Sequence, residues 1–261
     1  MEDIPMSSEN STGQPILIIV FMSIFVKLNL NDKEMTHLET ELQILRSDIV
    51  DEWELVIKQL ERAHEAMEHF NKDIISDIAT TEKLIDAFEL KVDMDCENIL
   101  ALYNPVANDL RLVLAVLKIN YNLERIGDFA WGIAKIVRDA EQPFRKESLE
   151  STEFMLIFDT TIGMLKDALA AFENENGDLA MSIFRKDRIL DEHNKNSIDI
   201  ILSLIGEFPE DTRNLLHLFS TFRKIERAGD HIKNISEEII FFLEAKVLRH
   251  KRKKHKTPTH E

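Results

Sequence analysis

Two five-residue stretches carry the side chains best placed for chemistry: Glu124-Arg125-Ile126-Gly127-Asp128 and, 102 positions later, Glu226-Arg227-Ala228-Gly229-Asp230. Residues four apart share one face of an α-helix, so each stretch sets two carboxylates side by side. Like charges at that spacing cost stability unless something binds them. Each copy also has glycine beside the acid, where glycine costs a helix about 1 kcal/mol relative to alanine. Gly127 and Gly229 therefore point to close helix approach or to room for a bound group. The duplication reaches further back. Asp109-Leu110-Arg111 and Asp211-Thr212-Arg213 precede the two stretches at the same distance, so D-x-R-x12-E-R-x-G-D occurs twice in the chain.

Two more acid pairs have the same spacing: Glu82 with Asp86, and Asp187 with Asp191. A helical hairpin turning near Pro105 brings Glu82 level with Asp128 and Asp86 level with Glu124, because each residue rises about 1.5 Å. A hairpin turning near Pro209 does the same for Asp187 with Asp230 and for Asp191 with Glu226. Each half is thus expected to hold four carboxylates at one height on two adjacent helices. Such a group could share protons or bind cations. It could also be paired by Lys83, Arg125, Arg188 or Arg227 in surface ion pairs worth about 0–1 kcal/mol each. Oxygen-only ligands favour hard ions such as magnesium, calcium, manganese or iron. Level-matched pairs in both halves favour metal over solvated ion pairs, which makes these eight acids the expected metal ligands.

Weaker candidates surround them. Glu34-x-x-His37 and Glu61-x-x-His64 imitate the ExxH motif of carboxylate-bridged di-iron bundles, but that site takes its two motifs from different helices, and here both fall on one. His64 lies in an apolar stripe and reads as a hydrogen-bonded core histidine. Glu89 and Asp93 could extend the first acid group, although Tyr121 and Leu117 stand opposite them. His231 points about 100° away from Asp230 around its helix and is an outside candidate ligand. Cys96 reads as packing. No glycine-rich phosphate loop, nucleophile elbow or Cys/His zinc spacing is present.

The elements that must position these acids are long amphipathic helices. From Asp32 to Phe70, apolar residues recur every three or four positions, Leu38, Leu42, Leu45, Ile49, Trp53, Ile57, Leu60 and Met67 among them. Asn71-Lys72-Asp73 breaks the helix, with Asp73 expected as the next N-cap. A second helix runs from Ile74 to about Tyr103, where Asn104-Pro105 ends it, and a third continues to about Glu141 before Gln142-Pro143. The scheme then repeats: Lys146 to Phe172, Leu179 to about Gly206 with Asp178 as its cap, and Glu210 to about Leu248. The fold class is all-α, two tandem three-helix bundles, with residues 31–142 forming the first and 143–248 the second. Residues 1–30 are expected to lie outside the fold, and residues 249–261 to form a basic disordered tail.

Composition agrees with a helical protein: 44% hydrophobic and 31% charged residues, with only 7 glycines and 6 prolines among 261. The net charge of −16 is unevenly spread. Residues 246–261 hold seven Lys or Arg against one Glu, a net +6 that leaves −22 on the rest of the chain. A body this acidic repels phosphate backbones, so nucleic acid is not an expected partner. The single cysteine excludes an intrachain disulfide and suits a reducing compartment. Ile16 to Val26 is apolar apart from Ser23. It is too short to span a bilayer, and it follows acidic rather than basic residues, unlike a secretory signal; packing on a partner or a membrane surface is the rival reading for it.

On Asn104-Pro105-Val106-Ala107-Asn108-Asp109-Leu110-Arg111, Leu123-Glu124-Arg125-Ile126-Gly127-Asp128 and Ile225-Glu226-Arg227-Ala228-Gly229-Asp230-His231 with Asn234-Ile235, the chain resembles the PhoU family, over most of residues 35–245. The resemblance implies two tandem three-helix bundles whose E/D-x-x-x-D motifs bind metal ions or small clusters, iron and zinc among them. On this chain those motif positions are Glu82, Asp86, Glu124 and Asp128, then Asp187, Asp191, Glu226 and Asp230. It also implies a role beside the phosphate ABC transporter and a sensor histidine kinase, restraining phosphate uptake and the starvation response from the inner face of the membrane. The hydrophobic N-terminal stretch and the basic tail depart from the family pattern.

The expectation is therefore a cytoplasmic, metal-binding regulatory adaptor without catalytic turnover. Its cofactor would be carboxylate-bound iron, zinc, manganese or magnesium. Its partners would be the transporter ATPase, the sensor kinase and a second copy of the chain, with peripheral contact to the membrane. Two alternatives stay open: a carboxylate-bridged metalloenzyme, which would want a histidine at the acid level, and an acidic helical interaction module without metal.

Overall fold

The computed structural model describes residues 36–245, and every regular element among them is helical. The first repeat comprises α1 (His37–His69), α2 (Ile75–Tyr103) and α3 (Ala107–Asp139). The second comprises α4 (Lys146–Ser151), α5 (Phe154–Glu173), α6 (Gly177–Glu207) and α7 (Thr212–Glu244), with a 3-10 turn at Pro209–Asp211 leading into α7. The tandem all-α arrangement expected from the sequence is present. The expectations for residues 1–35 and for the basic tail lie outside the described residues.

Local chemistry corrects several expected boundaries. Asn104 ends α2 in the left-handed conformation, φ 47°, which a short amide side chain tolerates, and Pro105 follows. Asp73 is not the N-cap of α2. Ile74 holds that place without a side-chain bond, and Asp73 instead donates its backbone N–H to the Asn71 side chain. Asp178 does not cap α6 either. Asn176 does, its Oδ1 accepting the Leu179 N–H at 3.0 Å, so the helix begins earlier, at Gly177. The single helix expected over Lys146–Phe172 is broken. Thr152 turns its hydroxyl back onto the Ser148 and Leu149 carbonyls, and Glu153 adopts φ 49°, so α4 and α5 are separate.

The two repeats share one apolar core. The most extensive helix pair crosses between them, α3 lying along α7. Lys118 meets Glu238, Asn122 meets Asn234, Arg227 lies over Phe129, and Lys224 reaches Gly132. The partner on α7 thus runs backward as α3 runs forward, so the two helices are antiparallel with Gly127 opposite Gly229 at the centre of the register. The repeated acid stretches therefore lie at the middle of this crossing. A second joint links α1 to α5. The fully buried Trp53 indole donates to the Leu165 carbonyl at 3.2 Å, and its ring lies 6.0 Å from that of Phe172.

Candidate functional site

In the first repeat α2 and α3 bring Glu82 beside Asp128, as a hairpin requires, whereas the expected pairing of Asp86 with Glu124 is replaced by one of Glu89 with Glu124. Glu82 and Asp128 are side-chain hydrogen-bond neighbours, and the Gln59 amide of α1 donates to Glu82 at 2.6 Å. Burial, then the charges of Asp128 and Asp86, push the Glu82 carboxyl up to about 7 despite that bond. Burial also raises Glu124 to about 7, helped by Asp128, Glu89 and Glu82 and opposed by Arg125. The Arg125 guanidinium is committed to Asp128 at 2.6 Å. Asp86 is exposed and acts on Glu82 and Glu89, so it is Glu89, a turn deeper, that presses on Glu124.

The group extends deeper than the periodicity suggested. Glu52 of α1 is 0% exposed, and neither of its carboxylate oxygens has a hydrogen-bond partner among the described residues. Burial first, then Glu89, Asp93 and Glu124, raise its carboxyl to about 9, so it is the neutral acid at pH 7. Asn120 braces the opposite side, donating to Asp93 at 2.7 Å and to the Glu89 carbonyl at 2.9 Å, while its own Oδ1 is unpartnered. Sequence reasoning missed Glu52 because the apolar stripe was traced through Trp53 and Ile57. The buried face of α1 runs through Leu45, Ile49, Glu52, Val56, Gln59 and Ala63. Two polar residues seven apart in the middle of that face were the available signal.

The second repeat has the same backbone plan and different electrostatics. Asp187 is buried and lies near Asp191 and Asp230, while Glu226 is raised by burial and by Asp230 and Asp191 and lowered by Arg223 and Arg227. The expected level partners are therefore together. Between them stands a cation of the chain's own: Lys233 Nζ donates to Asp187 at 2.8 Å and to Asp230 at 2.6 Å.

Both repeated glycines serve close packing. A Cβ on Gly127 would stand 3.3 Å from Ile85, and one on Gly229 only 2.7 Å from Leu190. The minor candidates resolve as packing. The His64 ring sits edge-on to Phe158, 5.0 Å between centroids, with Nε2 3.3 Å from Asp159. His231 turns away from the acids toward α3, where its Nδ1 pairs with Asn122 Oδ1 at 2.8 Å, and burial lowers its pKa. Cys96 is buried, and its thiol is pushed up to about 12, so it is inert at neutral pH. Glu34 lies outside the described residues.

Two conclusions bear on metal. The donor set is carboxylate throughout, which suits a hard cation. In the described residues' own arrangement, however, no group of three or more Asp, Glu, His or Cys side chains converges to chelate an ion. The first repeat fits a cation chemically, because Arg125 pairs with Asp128 only and Glu82 and Glu124 form no ion pair among the described residues; in the second, Lys233 already bridges two acids.

Comparison with known proteins gives the kinship. A family model described as the PhoU domain matches the chain twice, at residues 49–137 and 154–239. The phosphate-specific transport system accessory protein PhoU of Escherichia coli is 32% identical over 232 residues, spanning 85% of this chain and 92% of that protein. The PhoU homolog 1 of Thermotoga maritima, with the same descriptive name, is 32% identical over 206 residues, 78% of this chain and 88% of its own. The crystal structure of PhoU from Pseudomonas aeruginosa superposes with a TM-score of 0.74 at 28% identity, covering 80% of this chain and 99% of that one.

Proposed function

This chain belongs to the PhoU family, and we propose on that footing that it is a metal-binding regulatory adaptor of phosphate transport. It restrains phosphate uptake and the starvation response by contact with the phosphate ABC transporter ATPase and its sensor kinase, in the cytoplasm at the inner face of the membrane. It works as a homodimer and turns over no substrate. Support for the accessory role comes from relatives, aligned over most of their length, that are phosphate-specific transport system accessory proteins. No helix among the described residues is long and apolar enough to cross a membrane, which is compatible with a peripheral position.

The observation that carries the metal part is the first-repeat cluster. Glu82 and Glu124 are held as weak acids first by burial and then by the negative charge of neighbouring carboxylates, Asp128 acting on both, and the one cation close by, Arg125, only partly offsets this at Glu124. A bound hard cation would offset the rest. Glu82, Asp86, Glu124 and Asp128 would hold it, Arg125 would release Asp128 to it, and Gln59 would keep Glu82 oriented. The second set, Asp187, Asp191, Glu226 and Asp230, would have to surrender Lys233 first.

The test is expression of the full chain in a bacterium lacking its own accessory protein, with phosphate uptake and a starvation-responsive reporter as readouts. Wild type is expected to lower both, and Glu82→Gln with Glu124→Gln to lose most of that effect. Unchanged uptake and reporter on wild-type expression would overturn the regulatory reading. Elemental analysis of the two purified proteins separates the metal part: equal metal in both would sink it.

A further inference from the structure

The two acid sites are copies in sequence yet differ in what occupies their centre. We propose that the second site is a self-closed copy: the Lys233 ammonium stands in for a metal ion between Asp187 and Asp230, so the chain takes up cations through its first repeat only. This rests on the metal-binding reading above and assigns that function to one of the two duplicated sites.

The geometry is specific. Lys233 lies one turn after Asp230 on α7, and its ammonium bridges a carboxylate of its own helix and one from α6, at 2.6 and 2.8 Å. These are lengths of charge-assisted hydrogen bonds, roughly twice as strong as neutral ones. The Asp187 side chain is 8% exposed and that of Lys233 26%, so the arm to α6 is largely shielded from water and salt, while the Asp230 arm, at 48% exposure, is open to solvent. Arg223 adds a further cation, 3.7 Å from Glu226. A divalent ion entering here would need the oxygens Lys233 already holds, and the displaced ammonium would stay within a turn of the incoming charge.

At the matching position of the first repeat stands Trp131, which carries no charge. The nearest lysine along that helix, Lys135, lies over the Trp131 ring at 5.1 Å. Arg125 hydrogen-bonds Asp128 of its own helix and bridges to no acid of α2 among the described residues. In the first copy, therefore, no ammonium bridges two acids from different helices: Asp128 has Arg125, and neither Glu82 nor Glu124 has an ion-pair partner among the described residues.

Manganese titration of the full chain, with bound metal counted after dialysis, tests this. Wild-type binding is expected to be abolished by Glu82→Gln with Glu124→Gln and unchanged by Asp187→Asn with Asp230→Asn. Lys233→Met is expected to raise bound manganese about twofold, and its lowered melting temperature is expected to recover on adding manganese. A drop in bound metal in the Asp187/Asp230 variant, or no gain in Lys233→Met, overturns the proposal. Should Lys233→Met fold poorly, the Asp187/Asp230 variant still decides, since its wild-type-like or reduced metal content is read directly. Manganese bound by Lys233→Met but not by wild type would refute the first-repeat site and leave the lysine closure standing. No binding by either would refute both.

Discussion

Glu52→Gln is expected to flatten the fall of stability between about pH 7 and pH 9 without disturbing the fold. The folded protein holds the Glu52 proton up to about pH 9, whereas the unfolded chain gives it up near the ordinary value of 4.5. Folding therefore takes up a proton throughout that window. The stability linked to Glu52 is full below pH 4.5 and is lost as pH rises toward 9, at about 1.4 kcal/mol per pH unit. Glu82 and Glu124, raised to about 7, add to the slope below pH 7 but little above it. The segment from pH 7 to 9 accordingly belongs to Glu52 and amounts to about 3 kcal/mol. Glutamine has the same shape and cannot ionise, so wild type and variant should coincide in urea midpoint near pH 4 and diverge steadily from about pH 5 to pH 9, with Glu52 the main source of the slope above neutrality. Parallel curves from pH 5 to 9 would show that Glu52 is not a buried neutral acid.

Trp53→Ala is expected to cost about 3–5 kcal/mol, as large aromatic truncations in well-packed interiors do. The side chain is fully buried, packs near Phe172 of α5 and donates to the Leu165 carbonyl. Because Trp53 belongs to one repeat and its partners to the other, the loss should lower the melting of the whole described body in one cooperative step. Trp53→Phe retains most of the apolar contact and loses the N–H donor, so its cost should be nearer 1–2 kcal/mol. Calorimetry decides the point. Two resolved transitions, only one of them moved by Trp53→Ala, would mean that the repeats fold as independent bundles.

Much of this was legible along the chain because it depends on local period and on counting. Helical hairpins rise by a fixed amount per residue, so Asp128 had to come level with Glu82, and Asp230 with Asp187, once the turns at Pro105 and Pro209 were recognised. The duplicated stretch identified both acid pairs and both close-packed glycines for the same reason. Capping was less legible. Asn176 and Asp178 are both able caps two residues apart, and only the path of the turn from α5 chose between them. The break at Thr152-Glu153 depended on a hydroxyl turning back on its own helix, which no apolar pattern signals.

By itself, the sequence determined the all-helical class and the duplication, which follow from spacing along the chain, and its repeated motifs carried the resemblance to the family; hairpin counting brought Glu82 to Asp128 and Asp187 to Asp230. Only the tertiary structure decided how those acids differ. Burial of a third helix face put Glu52 against the first group, and the α6–α7 packing closed Lys233 over the second. Charge balance at a site is a property of all the helices around it, and residues such as Glu52, Gln59 and Lys233 reach it from positions that the repeat does not mark.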